Sequence, residues 1–229
     1  MRRAANCTLS PCSNPSDGAH TVSLFPHVRF LVSAAQPSQF PSDHGAEVAF
    51  AGRSNAGKSS AINAIVQRHG LARVSRTPGR TRLLNFFDIG AERRIVDLPG
   101  YGYASAPEAE RRTWAPLIAA LRERASLRGL VLIVDSRRGI AAEDENLIAW
   151  ARERSLPTRI HVLLSKCDKL TRSESTKALR QAQTELEDVA TVQLFSSLDK
   201  TGVEEAQRVL EAWTQRKNPD DLVEIAGAD

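Results

Sequence analysis

The chain alternates between short apolar runs and longer segments in which apolar residues recur every three to four positions. The short runs predict β-strands and the longer segments predict amphipathic helices, as in 203–216, where Val203, Ala206, Leu210 and Trp213 share one face. Pro116 falls inside the second helix, where we expect a kink or a break. The predicted strands are 47–51, 83–89, 93–97, 130–135, 160–165 and 191–195; the predicted helices are 58–68, 108–127, 141–154, 173–189 and 203–216.

The order of these elements predicts the fold class. Segments 83–89 and 93–97 are joined by three residues, a link short enough for a hairpin. The other strands are separated by helices, which favours parallel pairing. The sequence therefore predicts an α/β fold with a six-stranded mixed sheet, one antiparallel strand and helices on both faces. A ligand would bind at the carboxyl edge of the strands.

A phosphate-binding loop follows the first predicted strand. Its glycines let successive backbone N–H groups point at a phosphate, and the helix that follows adds positive potential. Lys58 would place a cation between the β- and γ-phosphates, and the Ser59 hydroxyl can bind Mg²⁺. The match to G-x-x-x-x-G-K-S is complete: Gly52, Arg53, Ser54, Asn55, Ala56, Gly57, Lys58 and Ser59, with Ser60 continuing into the helix.

A second motif, Asp97-Leu98-Pro99-Gly100, ends the strand 93–97. A D-x-x-G sequence at this place puts a carboxylate behind a water molecule on Mg²⁺, here Asp97. It also puts a backbone N–H, here that of Gly100, where a γ-phosphate would lie. We therefore expect both residues at the nucleotide.

A third motif, Ser165-Lys166-Cys167-Asp168, ends the strand 160–165 and predicts guanine recognition. Asp168 can accept hydrogen bonds from guanine N1–H and N2–H₂, and the Lys166 stem can cover the base. Adenine lacks these two donors, so two charge-assisted bonds of roughly 1.5–3 kcal/mol each favour guanine by about 3–6 kcal/mol. That difference corresponds to an affinity ratio on the order of 10²–10⁴.

Two weaker signals accompany these motifs. Thr81, within Gly79-Arg80-Thr81, is a candidate Mg²⁺ ligand that senses the γ-phosphate, or else a surface threonine after a Pro-Gly turn. Phe195-Ser196-Ser197 follows the last predicted strand. Its backbone N–H groups could hold the guanine O6, or the serines could be an ordinary pair at the start of a loop.

Together these motifs resemble the EngB family of bacterial GTPases, also called YihA/YsxC. The resemblance covers about Phe30 to Gln215, and its most distinctive part is the continuation of D-x-P-G by Y-G-Y-A. Ser165 departs from the family, which usually has Thr there, but it keeps a hydroxyl. The stretches that carry the resemblance are Gly52–Ser59, Thr77–Thr81, Asp97–Ala104, Ser165–Asp168 and Phe195–Ser197.

The resemblance implies a Ras-like P-loop GTPase that transfers the γ-phosphoryl group of GTP to water. Lys58, Thr81 and Gly100 would serve catalysis, with Ser59 and Thr81 as Mg²⁺ ligands. Tyr101 stands where many GTPases have a water-orienting glutamine, so we expect slow intrinsic turnover. Asn55 matches an asparagine that binds K⁺ in potassium-activated GTPases. Its alternative role is to cap the loop through its own backbone.

Composition is consistent with one domain between two tails. The 229 residues are 41% hydrophobic, and no apolar run approaches the 18 residues of a membrane span. We expect a disordered extension at 1–27, although a transit peptide is conceivable, then a GTPase domain at 28–217 and an acidic tail at 218–229. Three cysteines suggest reduced thiols, and we expect a cytoplasmic monomer.

The charge distribution points to an anionic partner. The net charge is +4, and the four carboxylates and no bases of 218–229 leave +4 − (−4) = +8 on the rest of the chain. A basic surface near the nucleotide suits ribosomal RNA, although a solvated arginine-rich surface is the alternative. The arginines concerned are 73, 76, 80, 82, 111, 112, 122, 124, 128, 137 and 138.

Two functions stay open at this stage. One is a GTPase that assists assembly of the large ribosomal subunit and is needed for normal septation, binding ribosomal RNA and proteins. The other is a nucleotide-gated binding module, such as a septation regulator, in which hydrolysis is incidental. A P-loop kinase with adenine preference is disfavoured by Asp168 and by the lack of a lid for a second substrate.

Overall fold

The computed structural model describes residues 24–72, 83–101, 108–154, 156 and 158–215, except for the side chains of 108–114. In these ranges the strands are β1 (Arg29–Ala34), β2 (Ala46–Gly52), β3 (Leu84–Gly90), β4 (Arg93–Asp97), β5 (Leu127–Asp135), β6 (Arg159–Ser165) and β7 (Thr191–Leu194). The helices are α1 (Lys58–Ile65), α2 (Glu108–Arg122), α3 (Ala142–Arg152), α4 (Arg172–Glu185) and α5 (Val203–Thr214).

One mixed sheet organises these elements in the order β1-β3-β4-β2-β5-β6-β7. Strands β4, β2, β5, β6 and β7 are parallel, and β3 runs antiparallel to both β1 and β4. All six predicted strands are present, and β3 is the one antiparallel strand that was expected. The predicted number was wrong, however, because β1 makes the sheet seven-stranded.

Strand β1 was not predicted from the sequence, because it is an edge strand and few of its residues are buried. Arg29 and Phe30 are exposed, Leu31 is also exposed, and only Ala34 is buried. Its backbone is held by pairing with β3, a partner about fifty residues away. Because neither face of β1 is consistently buried, no local alternation of apolar and polar residues marks the strand.

Two further predictions about the middle of the chain need correction. Helix α2 ends at Arg122, and β5 already begins at Leu127, where helix had been predicted. Pro116 lies inside α2, and the helix is not broken there; the alternative that was expected, a kink, stays a prediction. The predicted hairpin of β3 and β4, by contrast, is confirmed by their antiparallel register.

A hydrophobic core lies on each face of the sheet. On one face, Ile62 of α1 and Leu210 of α5 pack with Phe50 of β2. On the other face, α2, α3 and α4 pack against the strands, and Ala49 and Ala51 of β2 belong to this second core. Successive residues of β2 thus point to opposite faces, as the pleat requires. With helices on both faces, a ligand would bind at the loops that follow the carboxyl ends of the strands, here called the carboxyl edge.

The described helices are all too short or too polar to cross a membrane.

Candidate functional site

The loop between β2 and α1 has the backbone shape that a phosphate site needs. Gly57 has φ = 102°, in the left-handed region that side chains disfavour, and α1 begins at the next residue, Lys58. Asn55 also has a positive φ, of 65°, which asparagine tolerates better than most residues. The turn therefore places the phosphate loop at the N-terminus of α1, where unpaired N–H groups favour an anion.

The Lys58 ammonium forms an ion pair with Asp97 at the end of β4. Both side chains are largely buried, with 11% and 6% of their surface exposed. The contact brings the phosphate loop and the D-x-x-G motif together at the carboxyl ends of the neighbouring strands β2 and β4. A phosphate can take the place of the Asp97 carboxylate as the partner of Lys58, which would release Asp97 to face a metal-bound water.

The D-x-x-G segment lies directly on the phosphate loop. Leu98 N–H donates to Phe50 O at 2.9 Å, and Tyr101 O accepts from Ser54 N–H at 2.8 Å. A Cβ at Gly100 would lie 2.9 Å from Ser54 Oγ and 3.3 Å from Ser54 Cα, so the two backbones approach closely here and a larger residue would require Ser54 to shift. Pro99 precedes it and donates no N–H. The backbone of Gly100 is thereby held beside the loop that would contain the γ-phosphate.

The predicted base-recognition motif also reaches the phosphate loop. Ser165 is buried, and its hydroxyl lies 2.5 Å from Ala56 O and 3.0 Å from Val134 O. Lys166 has φ = 58°, and its Nζ donates to Asn55 O at 2.5 Å. The Lys166 stem therefore spans from the end of β6 to the phosphate loop; that it covers a base stays a prediction.

Asp135, which the sequence analysis did not single out, holds Lys166 in place. Its Oδ2 accepts from Lys166 Nζ at 2.9 Å, and Arg137 donates to both of its oxygens, at 2.9 and 2.7 Å. Partial burial raises the pKa of Asp135, but these hydrogen bonds outweigh burial and hold it well below its usual range. The signal in the sequence was a carboxylate at the end of the apolar run of β5.

Asp168 faces the last motif. Its Oδ1 accepts from Ser196 Oγ at 2.8 Å, and its Oδ2 lies 3.1 Å from Lys169 Nζ. Burial raises the pKa of Asp168, but the Ser196 hydrogen bond and the Lys169 charge lower it more, so the carboxyl group is ionised at neutral pH. An ionised carboxylate is the form that accepts from both guanine N–H groups.

Two backbone contacts complete this side of the site. Cys167 N–H donates to Phe195 O at 3.2 Å, and Phe195 N–H donates to Leu164 O at 2.9 Å. Phe195 and Ser196 are buried and Ser197 is half-buried, so the turn after β7 is packed against the turn after β6. The structure thus brings four of the five predicted motifs together at the carboxyl ends of the strands. The fifth, with Gly79, Arg80 and Thr81, lies outside the described residues.

The residues present fit Mg²⁺ bound together with a nucleotide. Ser59 is half-buried in the first turn of α1, and the Asp97 carboxylate is at the same edge. Among the residues that the structure describes, no three His, Cys, Asp or Glu side chains form a metal cage. Mg²⁺ is commonly held by one or two protein oxygens plus phosphates and water, so a hydroxyl and a carboxylate are a suitable protein contribution.

Comparisons with known proteins agree with this geometry. Residues 47–166 match a family described as 50S ribosome-binding GTPase. That match contains the phosphate loop, Asp97–Gly100 and the beginning of the base-recognition motif.

Curated relatives match most of the chain. A probable GTP-binding protein EngB from Nitrosococcus oceani is 51% identical over 195 residues, which is 83% of this chain and 96% of the relative. Its counterpart from Dechloromonas aromatica is 53% identical over 196 residues, covering 83% and 88%. A crystal structure of a probable GTP-binding protein engB aligns with a TM-score of 0.58 at 23% identity, covering 75% of this chain and 100% of that one. This last likeness shows the fold.

Proposed function

Because this chain belongs to the EngB family of GTP-binding proteins, we propose that it hydrolyses GTP and assists assembly of the large ribosomal subunit, and that normal septation depends on it. One observation carries the nucleotide part. Ser165 and Lys166 of the predicted guanine motif contact Ala56 and Asn55 of the phosphate loop. The residues predicted to bind the base are thus in direct contact with the loop predicted to bind the phosphates, which supports one nucleotide bound across both.

Each group at the edge has a role in this proposal. Lys58 exchanges Asp97 for the β- and γ-phosphate oxygens, where its charge offsets the negative charge that develops during transfer. The Gly100 N–H would donate to the γ-phosphate, Ser59 and Thr81 would supply hydroxyl oxygens to Mg²⁺, and Asp97 would accept from a water that the metal holds. Bound Mg²⁺ would neutralise charge on the β- and γ-phosphates.

Replacement of Asp168 by Asn tests the base assignment. The amide of Asn presents an N–H₂ group to guanine donors, so Asp168→Asn should weaken GTP binding by about 100-fold, since two charge-assisted hydrogen bonds are lost. Xanthosine triphosphate has an acceptor in place of the guanine N2 amino group and should bind the variant better than GTP. Competition binding with GTP, ATP and xanthosine triphosphate measures both changes.

Asp188→Asn is the matched control, because it makes the same chemical change at an exposed position after α4. It should leave all three affinities unchanged. If Asp168→Asn keeps the GTP preference of the wild-type protein, then guanine is recognised elsewhere and the assignment is wrong.

The ribosomal part of the proposal rests on the family and on charge. Arg137 and Arg138 are exposed directly after β5, and Arg137 is also bonded to Asp135, which leaves Arg138 as the stronger candidate of the two. Arg124, which belonged to the predicted basic set, is buried against Glu47 and is not available to RNA. The arginines closest to the nucleotide edge are therefore the stronger candidates for contact with ribosomal RNA phosphates.

Cosedimentation with purified ribosomal subunits separates an assembly factor from a module in which hydrolysis is incidental. We expect binding to the large subunit with a GTP analogue, weaker binding with GDP, and release on hydrolysis. Binding that is equal with both nucleotides, or absent at low salt, would contradict the assembly role. Faster GTP turnover in the presence of subunits would support it, and an unchanged rate would favour the module.

A further inference from the structure

Tyr101, the residue after the D-x-x-G motif, is held at both its backbone and its side chain. Its backbone pairs with Arg53 in an isolated parallel bridge, and its carbonyl accepts from Ser54 N–H at 2.8 Å. Its ring is partly buried against the core shared by α2, α3 and α4. The end of the D-x-x-G segment is therefore bound to the phosphate loop on one side and to the helical layer on the other.

The Tyr101 hydroxyl donates to Oδ1 of Asp144, which is fully buried in the first turn of α3. The other oxygen of Asp144 accepts from Ala141 N–H at 2.9 Å and so caps the helix. Burial raises the pKa of Tyr101 further above its ordinary range, so the hydroxyl stays protonated and remains a donor. Each polar group of the pair has a defined partner.

This arrangement bears on what Tyr101 can do. A glutamine at this position orients the attacking water in many GTPases, but the Tyr101 hydroxyl is already bonded to Asp144 and points into the helical layer. Its backbone, by contrast, is adjacent to Gly100, whose N–H is the expected γ-phosphate donor. The side chain is thus placed to act through the backbone that it anchors.

We infer that the Tyr101–Asp144 hydrogen bond is a positioning contact, which fixes the Gly100 N–H against the phosphate loop and so increases the affinity for GTP relative to GDP. Asp144 thereby links α3 to the expected γ-phosphate position through Tyr101 and Gly100. This inference rests on the proposed GTP binding. It assigns Tyr101 a role in recognising the γ-phosphate and leaves the activation of water to other groups.

The test compares affinities for GDP and for a non-hydrolysable GTP analogue in the full-length protein. Tyr101→Phe removes only the hydroxyl and keeps the ring in the core. We expect it to weaken analogue binding by about threefold to tenfold, the loss of one net hydrogen bond, with GDP affinity unchanged. Asp144→Ala should reduce the analogue-to-GDP affinity ratio by the same factor, and the double variant should show no further loss.

A control separates positioning from general stability. Ser126 lies just before β5, at the amino ends of the strands. Ser126→Ala loses a hydrogen bond to Asp43 of 2.6 Å and should lower the melting temperature without changing the analogue-to-GDP affinity ratio. An unchanged or increased ratio in Tyr101→Phe would overturn the inference, as would additive losses in the double variant. If Asp144→Ala does not fold, Tyr101→Phe alone decides.

The outcome is distinguishable from failure of the proposed function. A wild-type protein that binds the analogue and GDP but does not turn over GTP would contradict hydrolysis, while the affinity ratio would still decide the role of Tyr101. A wild-type protein that binds neither nucleotide would contradict both.

Discussion

Charged groups lie at both ends of the central strands, but they are paired in different ways. At the start of β2, Glu47 is fully buried and accepts hydrogen bonds of 2.7–2.8 Å from Arg94 and Arg124. These arginines also donate to Ser42 O, and Arg94 donates to His44 O as well. At the opposite end, Lys58, the first residue of α1, pairs with Asp97, the last residue of β4.

The difference lies in what each set of charges still has to bind. Both Glu47 oxygens are engaged by guanidinium groups, and Arg124 lies over the Phe40 and Phe86 rings, so this cluster is closed by protein atoms. The groups at the carboxyl edge sit on turns with left-handed residues such as Asn55 and Lys166, where a ligand can replace one partner of a pair. We therefore expect the paired charges to serve stability at the amino ends of the strands and ligand exchange at their carboxyl ends.

The largest effect should follow from removing the phosphate-loop cation. Lys58→Ala loses at least two charge-assisted hydrogen bonds to phosphate, which at roughly 1.5–3 kcal/mol each corresponds to about 3–6 kcal/mol of binding free energy. We expect GDP affinity to fall at least 100-fold while the domain still folds. Titration with fluorescent GDP beside a thermal melt measures both. Lys177→Ala, on the exposed face of α4, is the control. Wild-type affinity in Lys58→Ala would reject the phosphate-loop assignment.

A variant at the amino ends of the strands, where Glu47 lies, should lose stability and keep its affinity for GDP. Glu47→Ala leaves two buried guanidinium groups without their carboxylate, which typically costs about 3–5 kcal/mol of unfolding free energy. Urea denaturation measures this loss, and GDP titration of the folded protein should give the wild-type affinity. Glu187→Ala, on the surface, should change neither quantity. A stable Glu47→Ala protein with weakened GDP binding would mean that the two edges are not separate in function.

Asp135 offers an intermediate case, because it is buried and yet is bonded to Lys166, which is predicted to contact the nucleotide. Asp135→Asn keeps one acceptor but removes the negative charge beside Lys166, so we expect GDP and GTP affinities to fall together by about threefold to tenfold. Isothermal titration with both nucleotides gives the two values, with Asp188→Asn as the matched control. A loss confined to GTP would show that Asp135 acts on the phosphates and that its effect does not pass through Lys166.

The smallest effect concerns Asn55. If its side chain binds K⁺ beside the phosphates, GTP turnover should be about twofold to tenfold faster in KCl than in NaCl at equal ionic strength, since a cation there offsets transition-state charge. Asn55→Ala should abolish the difference. Equal rates in the two salts, with and without ribosomal subunits, would leave Asn55 with the alternative role of shaping the loop.

The parts of this protein that depend on local spacing could be predicted from the order of its residues alone. The phosphate loop, the D-x-x-G motif and the S-K-x-D motif each consist of a few adjacent residues whose backbone and side chains act together. Because each follows an apolar run, its place at the carboxyl edge could be predicted along with the α/β fold. Six of the seven strands could be predicted for the same reason.

Features that join distant segments became apparent only in the folded chain. Strand β1 exists because β3 pairs with it, and Asp135 becomes part of the site because the register of β5 and β6 sets it opposite Ser165, next to Lys166. The Tyr101–Asp144 contact joins residues 43 positions apart in sequence. A lone carboxylate or an exposed apolar run has many possible partners, and which partner it meets is settled by the packing of the whole sheet.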